Sequence, residues 1–250
     1  MKNNILHFAA GVSARCIDLL FPRRCPVCGD IVDFSGILIC PECMEKLSPV
    51  KNPICKKCGK ELISDQQEYC FDCTRHPKSF DAGRALLNYN EAAQHSVAAV
   101  KYKNRREYLD FYAGAMARRF WETVSRWQPQ MLVPVPVHPS RRRSRGFNQA
   151  EELAKRLSDA WGIPMETRML LRMRKTRPQH DLGPAERLKN LQQAFAVHPQ
   201  RIADAGCPET VLLIDDIYTT GSTIEACTRV LKAAGVQKVY FLTICIGCGR

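Results

Sequence analysis

Four Cys-x-x-Cys pairs set the terms for the first eighty residues of this chain. Cys25/Cys28, Cys40/Cys43, Cys55/Cys58 and Cys70/Cys73 recur every fifteen residues. CPVCGDIVDFSGILICPEC aligns without a gap on CKKCGKELISDQQEYCFDC, so the segment is an internal duplication whose halves both read Cys-x2-Cys-x11-Cys-x2-Cys. A Cys-x-x-Cys turn presents two thiolates on one side of a knuckle. Two knuckles close a tetrahedral four-sulfur site suited to zinc. Disulfide frameworks belong to secreted chains, and redox-active Cys-x-x-Cys motifs come singly on a strand–helix turn. Neither pattern matches four pairs in register. All ligands would be protein sulfurs with no position open to water, so two structural Zn2+ ions are expected. The spacing admits a sequential grouping, preferred here, and a cross-braced one. Cys16, Cys207 and Cys227 read as ordinary small residues, Cys245 as strand core and Cys248 as tail.

The chain is 250 residues long, 45% apolar and 25% charged, which fits a globular fold and excludes wholesale disorder. No run reaches the roughly 20 apolar residues of a membrane span. The opening stretch is mildly apolar but interrupted by His7, Arg15 and Asp18, with no small-residue cleavage site after it. It predicts a short amphipathic helix rather than a secretory signal, and a cytoplasmic protein. The net charge is +12, of which residues 133–190 carry +7. Each Zn(Cys)4 unit would subtract two, leaving about +8. A basic middle attracts polyanions: nucleic acid, a membrane surface or a small phosphorylated substrate.

Beyond Cys73 the pattern alternates. Strands are predicted at 84–89, 131–137, 168–173, 211–214 and 239–246, and helices at 91–101, 107–124, 148–161, 184–194 and 222–234. This is the signature of an α/β domain with a mainly parallel sheet. Three parts follow: an amphipathic segment at 1–24, a double zinc ribbon at 25–74 and the α/β domain at 81–250. Ligands of such sheets bind beyond the carboxyl ends of the strands. That rule points to VLLIDDIYTTGST, residues 211–223. An apolar strand ends in Asp215 and Asp216, and a Thr219-Thr220-Gly221-Ser222-Thr223 loop opens a helix. Backbone N–H groups and hydroxyls of the loop can surround a phosphate at the positive end of the helix dipole. Gly221 allows close backbone approach and a positive φ. The two acids are placed to accept hydrogen bonds from sugar hydroxyls or to help hold Mg2+.

This string resembles the phosphoribosyl pyrophosphate loop of type I phosphoribosyltransferases at all thirteen positions. VPVPVHPSRRRSRGFNQAEELA (133–154), LLFPRRCPVCG near the start, RKTRPQHDLGPAERLKNLQQAF (174–195) and Lys101 in AVKYKNRR are similar to the competence protein F family, a branch of that fold with an N-terminal double zinc ribbon. The resemblance spans nearly the whole chain. It implies a type I phosphoribosyltransferase-like, mainly parallel sheet. Asp215 and Asp216 would hold ribose hydroxyls, and the loop after them the 5-phosphate. The arginines after the second strand, Arg142 and Arg145 among them, would bind pyrophosphate. Arginine suits that task because its planar fork donates bidentate hydrogen bonds. Residues 174–187 would form a mobile loop, with Lys175, Arg177 and Gln179 in reach of the pyrophosphate.

The implied chemistry is transfer of a 5-phosphoribosyl group from its pyrophosphate donor, with Mg2+, to an acceptor the sequence does not spell out. Neutralising the leaving group while the ribose is held still would supply the catalysis. Asp215, Asp216 and Arg145 would be its central residues. The family resemblance implies a role in DNA uptake, transformation or use of external DNA as a nutrient. Two non-enzymatic roles stand beside the transferase. One is an accessory protein that binds single-stranded DNA; the other is a regulator that senses the ribosyl pyrophosphate. The chain has no Gly-x-x-x-x-Gly-Lys-[Ser/Thr] motif, so any helicase or translocase would be a separate partner.

Overall fold

The computed structural model describes residues 22–32, 36–173, 194–200 and 206–247. The amphipathic segment up to residue 21, Cys16, Cys248, the loop at 174–187 with Lys175, Arg177 and Gln179, and all but the last residue of the helix predicted at 184–194 lie outside the described residues.

The core is a four-stranded, wholly parallel sheet in the order β1-β6-β5-β2. Its strands are β1 (Ala82–Asn88), β2 (Met131–Pro134), β5 (Thr210–Tyr218) and β6 (Lys238–Ile246). β3 (Leu170–Arg172) and β4 (Phe195–Val197) form a separate antiparallel pair. Two short helices, α1 (Pro41–Lys46) and α2 (Phe71–Arg75), belong to the ribbons. The connecting helices are α3 (Glu91–Lys103), α4 (Tyr108–Trp127), α5 (Pro139–Arg145), α6 (Gln149–Trp161) and α7 (Ser222–Ala233). The α/β class read from the sequence is the one observed.

Local chemistry sets the helix ends. The Asn90 side chain caps α3 by accepting from Ala93 N at 3.0 Å, and Asn104 closes it in the left-handed region. Asn148 caps α6 by accepting from Ala150 N, while its amide donates to Val135 O at 3.1 Å and ties the helix to the end of β2. Gly162 ends α6 at φ 67°.

The eight ribbon cysteines form two clusters in sequential grouping: Cys25, Cys28, Cys40 and Cys43, then Cys55, Cys58, Cys70 and Cys73. Within each, all sulfurs lie within 4.8 Å of one another. Tetrahedral zinc with bonds of about 2.3 Å needs sulfurs about 3.8 Å apart. Cys28 Sγ and Cys40 Sγ are 3.7 Å apart, and Cys58 Sγ and Cys70 Sγ 3.6 Å. The donor set and its spacing therefore fit two zinc ions, and these are zinc-binding clusters. The second is buried throughout, whereas Cys28 of the first is exposed.

The duplicated ribbons meet opposite sides of the sheet. Cys25, Val32, Ile39 and Cys43 join the core under α3, α4 and α6, with Leu212, Ile214 and Leu242 from the sheet. Cys55, Cys58, Cys70, Cys73 and Phe80 join the core under α7 and the β3–β4 pair, with Val211, Leu213 and Phe241. The second ribbon comes close enough to β1 that a Cβ at Gly59 would lie 2.6 Å from Gly83 O.

Candidate functional site

β5 runs further than its apolar stretch. Asp215 pairs in register with Thr243, and the ladder to β6 continues to Tyr218. Both acids thus lie inside the strand, not beyond its end. Successive strand residues face opposite sides of a sheet, so the two carboxylates straddle it.

Asp216 is buried on the α3 side, where its carboxylate forms an ion pair with Lys101 Nζ. Burial alone would lower the Lys101 pKa. The Asp216 charge, its hydrogen bond to the ammonium and the Asp215 charge together outweigh it, so the ammonium is held protonated above its ordinary range. Asp215 is half-buried on the other side. Its pKa is pushed well above the usual carboxylate range, first by desolvation and then by the Asp216 charge, although it accepts a hydrogen bond from Asp216 N at 2.9 Å. The buried Cys227 thiol of α7 is pushed up by desolvation and then by the Asp215 charge, with Arg172 of β3 acting in the opposite sense.

The loop after β5 has the form the sequence implies. Thr219 and Thr220 are exposed, and Thr220 Oγ1 lies 2.8 Å from Ser222 Oγ. Gly221 takes φ 75°, and a Cβ there would meet Tyr218 Oη at 2.3 Å. Gly221 is the N-cap of α7, and no side chain caps the helix, so its first N–H groups are not consumed by a capping side chain. Residues 217–224, Ser222 and Thr223 included, line a cavity of about 80 Å³.

The arginine segment is helical. Pro139–Arg145 forms α5, capped by His138 Nδ1, which accepts from Ser140 N at 3.2 Å, and closed by Gly146 at φ 79°. None of its residues is buried. Its arginines diverge. The Arg145 guanidinium lies 4.9 Å over the exposed Tyr102 ring, and its charge opposes protonation of Lys101, which places it at the acid edge. Arg142 instead pairs with Glu151 at 2.9 Å. Arg141 acts electrostatically on Arg172.

The structure therefore gathers Lys101, Arg145, Asp215, Asp216 and residues 219–223 at one edge of the sheet and turns Arg142 toward α6. Sequence reasoning missed Arg172, which lies over Phe195 at 5.2 Å, and Tyr102. Arg172 falls in a short strand whose pairing carries no distinctive motif. Tyr102 directly follows Lys101 on α3 and is exposed, and no motif marks it in the sequence.

Comparison with known proteins gives the following. Residues 16–74 match the double zinc ribbon domain. Competence protein F of Haemophilus influenzae is 27% identical over 227 residues, 88% of this chain and 95% of that protein. Competence protein ComFC of Streptococcus pneumoniae is 29% identical, covering 86% of this chain and 96% of that protein. DNA utilization protein YhgH of Salmonella typhimurium is 26% identical, covering 91% and 98%. Among solved structures, purine phosphoribosyltransferase from Pyrococcus horikoshii Ot3 aligns with TM-score 0.33 and 17% identity over 55% of this chain and 81% of that one. The chain is thus similar over most of its length to competence and DNA-utilisation proteins, and its N-terminal part is a double zinc ribbon. Among the described residues no helix is long and apolar enough to cross a membrane.

Proposed function

We propose that this chain binds 5-phosphoribosyl 1-pyrophosphate with Mg2+ at the edge formed by β5, α3 and the 219–223 loop, and that it acts in the cytoplasm in the uptake or use of external DNA. The observation that carries the reading is the assembly, on one sheet edge, of an acid pair, a buried lysine and an uncapped helix N-terminus. A ribosyl group needs hydroxyl acceptors, and Asp215 and Asp216 offer them from either side of the strand. A 5-phosphate needs N–H and hydroxyl donors, which the loop supplies. Arg145, over the Tyr102 ring next to Lys101, would donate to the diphosphate. A Mg2+ ion would be carried on the diphosphate and held by one or two carboxylates. Mg2+ bound this way would neutralise the leaving group.

Group transfer to an acceptor is the chemistry this site would serve: Lys101 holds Asp216 in place, and the loop fixes the sugar phosphate so that carbon 1 alone is free to react. The division into 1–24, 25–74 and 81–250 belongs to the same reading, as does a separate helicase or translocase partner. A second reading, a DNA-binding accessory role, is favoured by the exposed Arg141, Arg142 and Arg143 of α5 and by the names of the relatives.

The test is a titration of the zinc-loaded chain with the ribosyl donor, with and without Mg2+, beside a single-stranded oligonucleotide. Donor binding that tightens with Mg2+ supports the proposal. Oligonucleotide binding without donor binding at any Mg2+ concentration transfers it to the second reading.

A further inference from the structure

The second ribbon is joined to the candidate phosphate loop by its own exit segment. Five residues past Cys73 the chain makes three successive contacts there. Lys78 Nζ donates to the Thr220 carbonyl at 3.3 Å. Ser79 donates its N–H to Glu225 Oε2 and its hydroxyl to Glu225 Oε1, each at 2.7 Å. Phe80 is fully buried and sits edge-on to Tyr218 and Phe241, at 6.3 and 5.0 Å. The Tyr218 ring is stacked on Phe241 at 4.9 Å, and its hydroxyl is the atom a side chain at position 221 would strike.

Each contact bears on anion binding. The Thr220–Gly221 peptide is trans. Holding its carbonyl toward Lys78 turns the Gly221 N–H to the opposite side, because the peptide is planar. Glu225 stands in the first turn of α7 and is only 2% exposed. A carboxylate there competes with a phosphate for the positive end of the helix. Ser79, together with Arg229 Nε at 2.7 Å from Oε1, occupies its oxygens. Burial works to raise the Glu225 pKa, but these hydrogen bonds prevail and hold it below the ordinary glutamate range. The carboxylate stays charged and tied to the linker rather than to the loop.

We infer that Lys78 and Ser79 are positioning residues that set the anion affinity of the 219–223 loop, so that the loop is shaped by the attachment of the second ribbon and not the first. This rests on the phosphate-binding reading above. The experiment titrates the full, zinc-loaded chain with ribose 5-phosphate and with the ribosyl pyrophosphate plus Mg2+. Variants are Lys78→Met, Lys78→Arg and Ser79→Ala, and zinc content and thermal midpoint are measured on each. Losing one charge-assisted contact should weaken both probes by about tenfold in Lys78→Met and Ser79→Ala. Zinc should stay at two per chain, and Lys78→Arg should bind within about twofold of the unaltered chain, since it restores the donor. Unchanged affinity in both Lys78→Met and Ser79→Ala overturns the inference while leaving phosphate binding in place. So does a loss in Lys78→Met that Lys78→Arg fails to recover. An unaltered chain that binds neither probe overturns the phosphate reading itself, and the inference with it.

Discussion

Lys101→Met tests the electrostatic keystone of the site. The Lys101 and Asp216 side chains are only 17% and 10% exposed. Removing the ammonium leaves a carboxylate buried without its counter-charge. Breaking a buried pair in this way costs about 3–5 kcal/mol. For a domain of this size each kcal/mol lowers the thermal midpoint by roughly 2–4 °C, so a fall of roughly 6–20 °C is expected. Adding Asp216→Asn to Lys101→Met removes the stranded charge and should recover most of that loss, a coupling that a packing defect would not show. The pH dependence has a definite sign. The Lys101 pKa is raised on folding, so its contribution is fully present below the unfolded lysine value of about 10.4. It fades only as pH rises through the higher folded value. The assay is thermal unfolding by circular dichroism at pH 7.5 and 9, where the variant should show the same deficit. A midpoint within about 2 °C of the unaltered chain, well short of the roughly 6 °C minimum expected, or a double variant no better than Lys101→Met, would refute the reasoning.

Two further outcomes follow from the same geometry. Metal analysis of the purified chain should find two zinc ions; Cys55→Ser should lose one and lower the midpoint more than Cys28→Ser, because Cys55 sits in the core under α7 while Cys28 is exposed. Asp215→Asn should raise the midpoint at pH 7 while weakening donor binding. A carboxylate whose folded pKa is raised costs stability above that pKa, so the gain should shrink as pH falls through it and vanish below the unfolded value of about 3.9; a gain that persists at low pH would contradict this origin.

Much of this was legible in the sequence where one residue type carries one kind of physics. Four thiolate pairs in register specify zinc clusters. Their grouping was not legible, because the same eleven-residue spacing separates every pair and only the fold decides which knuckles meet. The apolar runs at 211–214 and 239–246 located two strands of the sheet. The true end of β5 was hidden: an Asp-Asp step reads as the end of an apolar strand until Lys101, remote in sequence, neutralises one acid inside it. PSRRRSR has no apolar periodicity, so the sequence carries no helix signal for α5; the His138 cap and Gly146 hold it. The divergence of its arginines depends on Glu151 and Tyr102, which only tertiary packing brings near. Arg172 and the Lys78–Ser79 strap carry no motif and are visible only through their contacts.

The central claim is that β5 and the loop after it form a ribosyl pyrophosphate site, and paired titrations of the unaltered chain and the Asp215→Ala/Asp216→Ala variant test it most directly. Each lost hydrogen bond to a charged group is worth about 1.5–3 kcal/mol, so donor affinity with Mg2+ should fall by at least about tenfold. Single-stranded DNA should bind the variant as well as before or slightly better, with its steep salt dependence intact, because the surface becomes more basic. Donor affinity unchanged by the loss of both carboxylates, or no donor binding by the unaltered chain, would contradict the account.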